Sequence, residues 1–350
     1  MNTKKIYRQF VVSGLCAGAM LVSGKVLAQS GITLYGQVDT YVGSVKAIGQ
    51  QNRTSLLGAS GGMQTPFWGI KGSEDLGGSL KAIFVLESWY RPDTGAAARY
   101  NGDNFFSRSA YVGLQGSMGT IRFGRNTTPY WISTVTFNPF AGSFAFSPAI
   151  YQSYFSNGSV AAPLLGDSGW SNSVVYTTPN MAGLTANAIY SFGEVPGDMG
   201  KNKVGGNLLY KNGDLGATLA YQQVDYSQVP GDLGAAFDKQ KALFAGLSYD
   251  FKVVKLFGYL QRLDNKVSTG DLKRNSAQIG LSAPLGGGSV LASYAYMKTK
   301  GAMENNRNSW ALGYDYPLSK RTDLYSAYYR DSVTGIGNGD TLGFGIRHYF

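Results

Sequence analysis

From residue 31 to the C-terminus the side chains alternate in polarity with a period of two, and almost nowhere with a period of 3.6. That restricts the chain to extended strands with two chemically different faces. In Ile32–Val42 one face carries Ile32, Leu34, Val38 and Val42, and the other Thr33, Tyr35, Gln37, Asp39 and Tyr41. Residues 340–350 repeat the pattern, with Leu342, Phe344, Ile346 and Phe350 opposite Thr341, Arg347 and Tyr349. One greasy face and one polar face suit a strand standing between lipid and water.

The punctuation is as regular as the alternation. Turn residues fall at Gly77-Gly78, 117–119, 180–183, 212–214, 286–288 and 319–320, and longer polar stretches fall between them. Short and long connections therefore alternate around sixteen expected strands, beginning with 31–42, 65–75 and 79–91 and ending with 340–350. An even number closes an antiparallel barrel, whereas a soluble sandwich would leave many edges to protect. Only 15% of residues are charged, against roughly 25% in soluble domains, while the chain holds 24 Tyr, 18 Phe and 48 Gly. No run of 18 apolar residues follows residue 28, so helical spans are excluded. These features predict an all-β fold, an antiparallel transmembrane β-barrel.

The first 28 residues read as a cleaved export signal. Lys4, Lys5 and Arg8 precede an apolar run from Phe10 to Gly24, and Val26-Leu27-Ala28 offers small residues for cleavage after Ala28. Cleavage would leave residues 29–350 as the barrel, lower the formal charge from +10 to +6, and remove Cys16, the only cysteine. A mature exported chain without cysteine is no disulfide scaffold. The remaining positive charge forms no Lys/Arg cluster, so nucleic acid is not an expected partner.

The longest connection, 127–169, has no charged residue up to Gly166 and is rich in aromatics, Phe140 and Phe144 among them. Disordered segments are poor in aromatics, so this one should be packed, and a wide barrel offers its lumen.

Several segments resemble the trimeric general porins of Gram-negative bacteria, especially the betaproteobacterial type. They are Gly31–Asp39, Trp68–Gly77, Ser107–Leu114, Phe123-Gly-Arg125 and the terminal Arg347-His-Tyr-Phe350. The resemblance implies a sixteen-stranded homotrimer in the outer membrane, with the third outer loop folded inward as a constriction. It also implies contact with outer-membrane lipid and lipopolysaccharide, and reading of Phe350 by the barrel-assembly machinery. By position, Arg108 and Lys71 fall where such porins carry pore-wall cations. By alternation, Arg122 joins them and Glu87 is an inward acid. With Phe140 and Phe144 from the loop, these six residues are the expected constriction. The family's loop acids are missing here, apart from Asp167 at the far end, which predicts a weak transverse field and a greasy eyelet. Phe67 stands where the family often places an arginine.

Enzymatic constellations are absent from the sequence. The single histidine, His348, shares the parity of Phe350, and no metal set or phosphate-binding loop is present, so neither catalysis nor a cofactor is expected. Trp68, Trp89, Trp170 and Trp310 read as interfacial girdle residues. Three functions remain open. The first is a general diffusion channel, mildly anion-preferring. The second is a channel selective for aromatic or apolar organic anions, and the third a plugged structural barrel or adhesin.

Overall fold

The computed structural model describes residues 31–154, 165–193, 202–225 and 237–350. The export segment 1–28, Phe155 and most of the connections at 195–202 and 227–238 lie outside the described residues. The elements in chain order are β1 (Gly31–Lys46), β2 (Thr54–Leu57), β3 (Phe67–Gly77), β4 (Leu80–Trp89), β5 (Ser109–Gly116), β6 (Gly119–Thr127), α1 (Pro129–Thr136) and α2 (Pro148–Tyr154). There follow β7 (Gly169–Thr177), β8 (Leu184–Ser191), β9 (Lys203–Asn212), β10 (Leu215–Asp225), β11 (Phe237–Asp250) and β12 (Lys255–Val267). The last are β13 (Leu272–Leu285), β14 (Gly288–Gly301), β15 (Asn305–Pro317), β16 (Thr322–Val333) and β17 (Gly337–Tyr349).

Each wall strand pairs antiparallel with its sequence neighbour, and β1 pairs with both β3 and β17, so the sheet closes. Sixteen strands form the wall, as the alternation requires. The seventeenth, β2, pairs only with Val42–Val45 of β1 and continues the line of β3. The polar stretch near 43–63 predicts an end to the first strand at residue 42. In fact β1 continues to Lys46, held by β17 on its other side.

Turn chemistry fixes the register. Gly286 and Gly287 both have positive φ, 56° and 85°, and join Leu285 to Gly288 as a two-residue hairpin. Only this mirror-image turn matches the twist of the flanking strands, and glycine adopts it without steric cost. The outer face is apolar: Ile32, Ile279 and Phe344 are 70%, 69% and 62% exposed. A row of such residues around the whole wall is far more than a soluble monomer exposes, and it fits hydrocarbon.

The seam ends at Phe350, whose N–H donates to Gly36 O at 3.1 Å while Gly36 N–H donates to Phe350 O at 3.2 Å. Its ring is exposed beside Gly36, where any β-carbon would clash with it. Deleting Phe350 removes the last two hydrogen bonds of closure together with the terminal aromatic, so outer-membrane yield should fall severalfold. Unchanged yield by quantitative immunoblot of membranes would refute an assembly role.

Candidate functional site

Residues 128–154 are held by local capping and by the wall. Thr128 caps α1, its hydroxyl accepting from Trp131 N–H at 3.2 Å, with Pro129 in the first turn. Asn207 of β9 donates to Pro129 O (2.8 Å) and to Ser133 Oγ (2.9 Å), and Ser133 pairs with Thr218 of β10 at 2.9 Å. Gln261 of β12 donates to the Tyr130 hydroxyl at 3.0 Å. From α2, Gln152 donates to Ala295 O (3.1 Å) and Ser309 Oγ (2.9 Å), and Ser153 donates to Gln261 at 3.0 Å. All these partners sit on the buried face of the wall, the side away from the apolar band.

Apolar packing follows the same track. Phe137, Pro139, Phe140 and Phe146 lie over Gly246, Gly280, Gly313 and Gly343, one glycine on each alternate strand β11, β13, β15 and β17. A β-carbon at Gly246, Gly280 or Gly343 would stand 2.7–2.8 Å from the ring above it, and at Gly313 it would stand 3.0 Å from Phe140. The glycines are therefore seats for the connection. Phe140 is fully buried with Tyr41, Met63 and Tyr325. It anchors the connection to the wall, packed over Gly313. Phe144 is half-buried and stacked on Trp131 at 5.7 Å, with Tyr154 edge-on to Trp131 at 4.7 Å.

The base of the connection is tied by charge. Asp167 accepts from Arg99 Nη1 (2.6 Å) and Arg125 Nη2 (2.5 Å), and Arg99 also holds Asp103 at 2.8 Å. Arg125 donates further to Ser107 O (2.7 Å) and Ser171 Oγ (3.0 Å). Burial alone would raise the Asp167 carboxyl. The charges of Arg99 and then Arg125 overcome this and hold it well below the usual carboxylate range.

Of the wall residues expected at the constriction, Arg108, Glu87 and Lys71 come together. Arg108 forms an ion pair with buried Glu87, which also accepts from the Tyr35 hydroxyl at 2.6 Å. The Arg108 guanidinium lies 4.1 Å over the Phe67 ring and 5.1 Å from that of Trp89. Phe67, standing where an arginine was expected, is thus the platform for the remaining one. Lys71 lies 4.6 Å over the Tyr35 ring. Arg122 is more distant, 5.3 Å over Tyr111 and 3.5 Å from Thr177 Oγ1.

Cross-strand register places Glu87 opposite Ser109, Lys71 opposite Val85 and hence level with Tyr111, and Arg122 opposite Gly113. Arg108 to Arg122 therefore spans five residues of β5, roughly 17 Å at ~3.3 Å per residue. The cations form a line down the wall instead of a ring.

Sequence reasoning missed the contacts made by acids on the adjoining strands β1, β15 and β16. Asp315 and Asp323 both pair with Arg347, at 3.1 and 2.9 Å, and Asp39 accepts from the N–H groups of Gly62 (2.9 Å) and Gln64 (2.7 Å). Period two placed Asp39 and Arg347 inward, but nothing in the sequence paired β1 with β17. Two of the four expected girdle tryptophans are also displaced. Trp89 shares the inward face of Glu87 and packs on Phe67 at 5.8 Å. Trp170 is 1% exposed, because three residues of β6 (Gly124 to Asn126) face four of β7 (Trp170 to Ser173) and the bulge resets the alternation. Trp310 is exposed on the outer face as expected.

Comparison with known proteins agrees with this architecture. The family model described as Gram-negative porin matches residues 15–335. Outer membrane porin protein 32 of Delftia acidovorans is 35% identical, with 89% of this chain and 86% of the relative aligned. An outer membrane porin protein of Bordetella pertussis is 31% identical over 96% of this chain and 99% of its own length. A solved structure, the anion-selective porin from Comamonas acidovorans, superposes with a TM-score of 0.76 at 31% identity, covering 92% of this chain and all of that one. With the closed sixteen-strand wall, the apolar exterior and these relatives, the chain belongs to the Gram-negative porin family.

Proposed function

We propose that the protein is an outer-membrane porin through which ions and small hydrophilic solutes diffuse passively, with a mild preference for anions and no catalytic activity. The export segment 1–28 is cut after Ala28, the barrel of residues 29–350 assembles as a homotrimer through Phe350 and the assembly machinery, and residues 127–169 enter the lumen as its constriction. The carrying observation is where the connection packs. Its hydrogen bonds and ring contacts run along the buried face of β8–β17 and reach β1. The passage left beside it borders β3–β6, where Lys71, Arg108 and Arg122 lie against Glu87. Across the gap stands a connection with no charge between Asn126 and Gly166. Lys71 and Arg122 have no carboxylate partner among the described residues, and unpaired cations near low-dielectric walls favour anion passage. The anion-selective relative supports the same sign.

The half-buried cluster of Trp131, Phe144 and Tyr154 favours one second reading, a preference for aromatic organic anions within the same channel. Liposome swelling tests the main reading. Vesicles carrying the protein should admit small uncharged sugars, and deleting residues 138–152 should admit larger ones several times faster. Vesicles impermeable to every sugar would indicate a plugged barrel. An identical size cutoff in the deletion variant would remove the connection from the passage.

A further inference from the structure

Arg274 is a buried cation outside the constriction. It lies on β13, two residues in from the long-connection end, on the inward face with Leu272, Ser276 and Gln278. Only 3% of it is exposed. The register sets it opposite Leu263 of β12 and Thr299 of β14. Leu263 and Met297, on either side, belong to the apolar cluster that includes Ala149 and Leu165. Arg274 therefore faces the covered part of the wall, away from the line of Lys71, Arg108 and Arg122 on β3–β6.

No internal group neutralises this charge. Among the described residues its Nη1 makes no hydrogen bond, and no carboxylate pairs with it. The acids of the neighbouring strands are engaged or turned away. Asp331 of β16 accepts from Arg307 at 2.6 Å and from Ser309 at 2.8 Å. Asp264 of β12 alternates with buried Leu263 and Asn265, points outward and pairs with Arg262 at 3.1 Å. Asp271 and Glu304 are exposed beyond the strand ends. The connection supplies no acid between Asn126 and Gly166. Arg307, opposite Met297 on the same inward face, adds a like charge.

A guanidinium keeps its proton, so burial cannot neutralise it as it neutralises a lysine or a carboxyl. An unpaired buried charge is among the costliest groups a fold can carry. Water satisfies its N–H groups and leaves the charge; an anion satisfies both. A second orphaned donor lies beside it. Asn265 of β12, 2% exposed, accepts from Gln240 at 2.6 Å through Oδ1, and its Nδ2 has no partner. Asn265 stands opposite Leu272, one inward step from Arg274, and such diagonal neighbours are within reach of a long side chain. Thr299 adds a hydroxyl. A set of donors with no carboxylate takes an anion, and the guanidinium fork matches two oxygens of one carboxylate or phosphate.

We propose that Arg274, with Asn265 and Thr299, binds a small oxoanion, a carboxylate or a phosphate, between the barrel wall and the connection. The anion sits off the path of conduction and supplies the counter-charge that lets β13 carry a buried arginine. The site rests on the closed wall and not on conduction. The full chain, refolded in detergent and exchanged into a buffer free of oxoanions, is titrated calorimetrically with inorganic phosphate, acetate or chloride. Phosphate or acetate should saturate one site per chain, roughly tenfold or more tightly than chloride; the tighter of the two names the preferred oxoanion. Arg274→Met should lose the site. Asn265→Asp keeps the acceptor for Gln240 and brings a carboxylate within reach of Arg274. It should also lose the site and raise the thermal midpoint of the barrel in oxoanion-free buffer, so the test stands even where Arg274→Met fails to fold. Arg108→Ala should keep the site. Binding that vanishes in Arg108→Ala, or persists in Asn265→Asp, would overturn the proposal by placing the anion on the passage wall. So would equal affinity for chloride, or no saturable binding in the wild type.

Discussion

Replacing Asp167 by Asn should release the base of the 127–169 connection and make the open channel noisy. Asp167 is buried between two guanidinium groups, and Arg125 is itself only 9% exposed at the side chain. Removing one member of a buried ionic network strands the others; discounted for the part-exposure of Arg99, the local cost is about 3 kcal/mol. That is enough to change a well-held tether into one that is frequently open, without unfolding a barrel whose wall hydrogen bonds are untouched. The pH dependence has a definite sign. The folded carboxyl titrates below its ordinary value, so its contribution is complete above the unfolded value of about 4 and is lost only as pH falls through the depressed one. Wild-type channels should therefore stay quiet from pH 7 to pH 4, while Asp167→Asn should be noisy across that whole range. Current noise in the variant equal to that of the wild type would show that the ionic tether does not hold the connection.

The alternation and the turn residues made the wall legible in the sequence, because a period of two assigns each side chain to lipid or to lumen without knowledge of its neighbours. Sixteen strands followed from that, and so did the inward placing of Asp39, Glu87 and Arg122. Interactions across the barrel were not legible. The seats Gly246, Gly280, Gly313 and Gly343 look like any other glycines in a glycine-rich chain, and only closure puts them in a row beneath Phe137, Pro139, Phe140 and Phe146. The same holds for Asp315 and Asp323, whose shared partner Arg347 lies on a different strand. Trp170 was misplaced for a local reason, since one extra residue in β7 inverts the alternation beyond it.

The pairing of Arg108 with Glu87 sharpens the selectivity argument. At this height the wall carries Arg108, Lys71 and Glu87, a net of one positive charge. Arg108→Ala should bring it to zero and leave Glu87 with only the Tyr35 hydroxyl, and Glu87→Gln should raise it to two. A unit charge ~8 Å from the ion's path is worth about 2 kcal/mol at an effective dielectric of 20, less screening by salt with a Debye length of ~8 Å. A several-fold change in the ratio of chloride to potassium permeability is therefore expected in each variant. The signs are opposite: Arg108→Ala towards cations, Glu87→Gln further towards anions. If both variants moved in the same direction, the Arg108–Glu87 pair would not face the permeating ions.

The most direct measurement is the reversal potential of the wild-type channel in a planar bilayer under a tenfold KCl gradient. Stepwise conductance with a reversal potential displaced towards the chloride equilibrium value is the predicted result. Displacement towards the potassium value would contradict the cationic wall, and absence of steps would contradict the open channel itself.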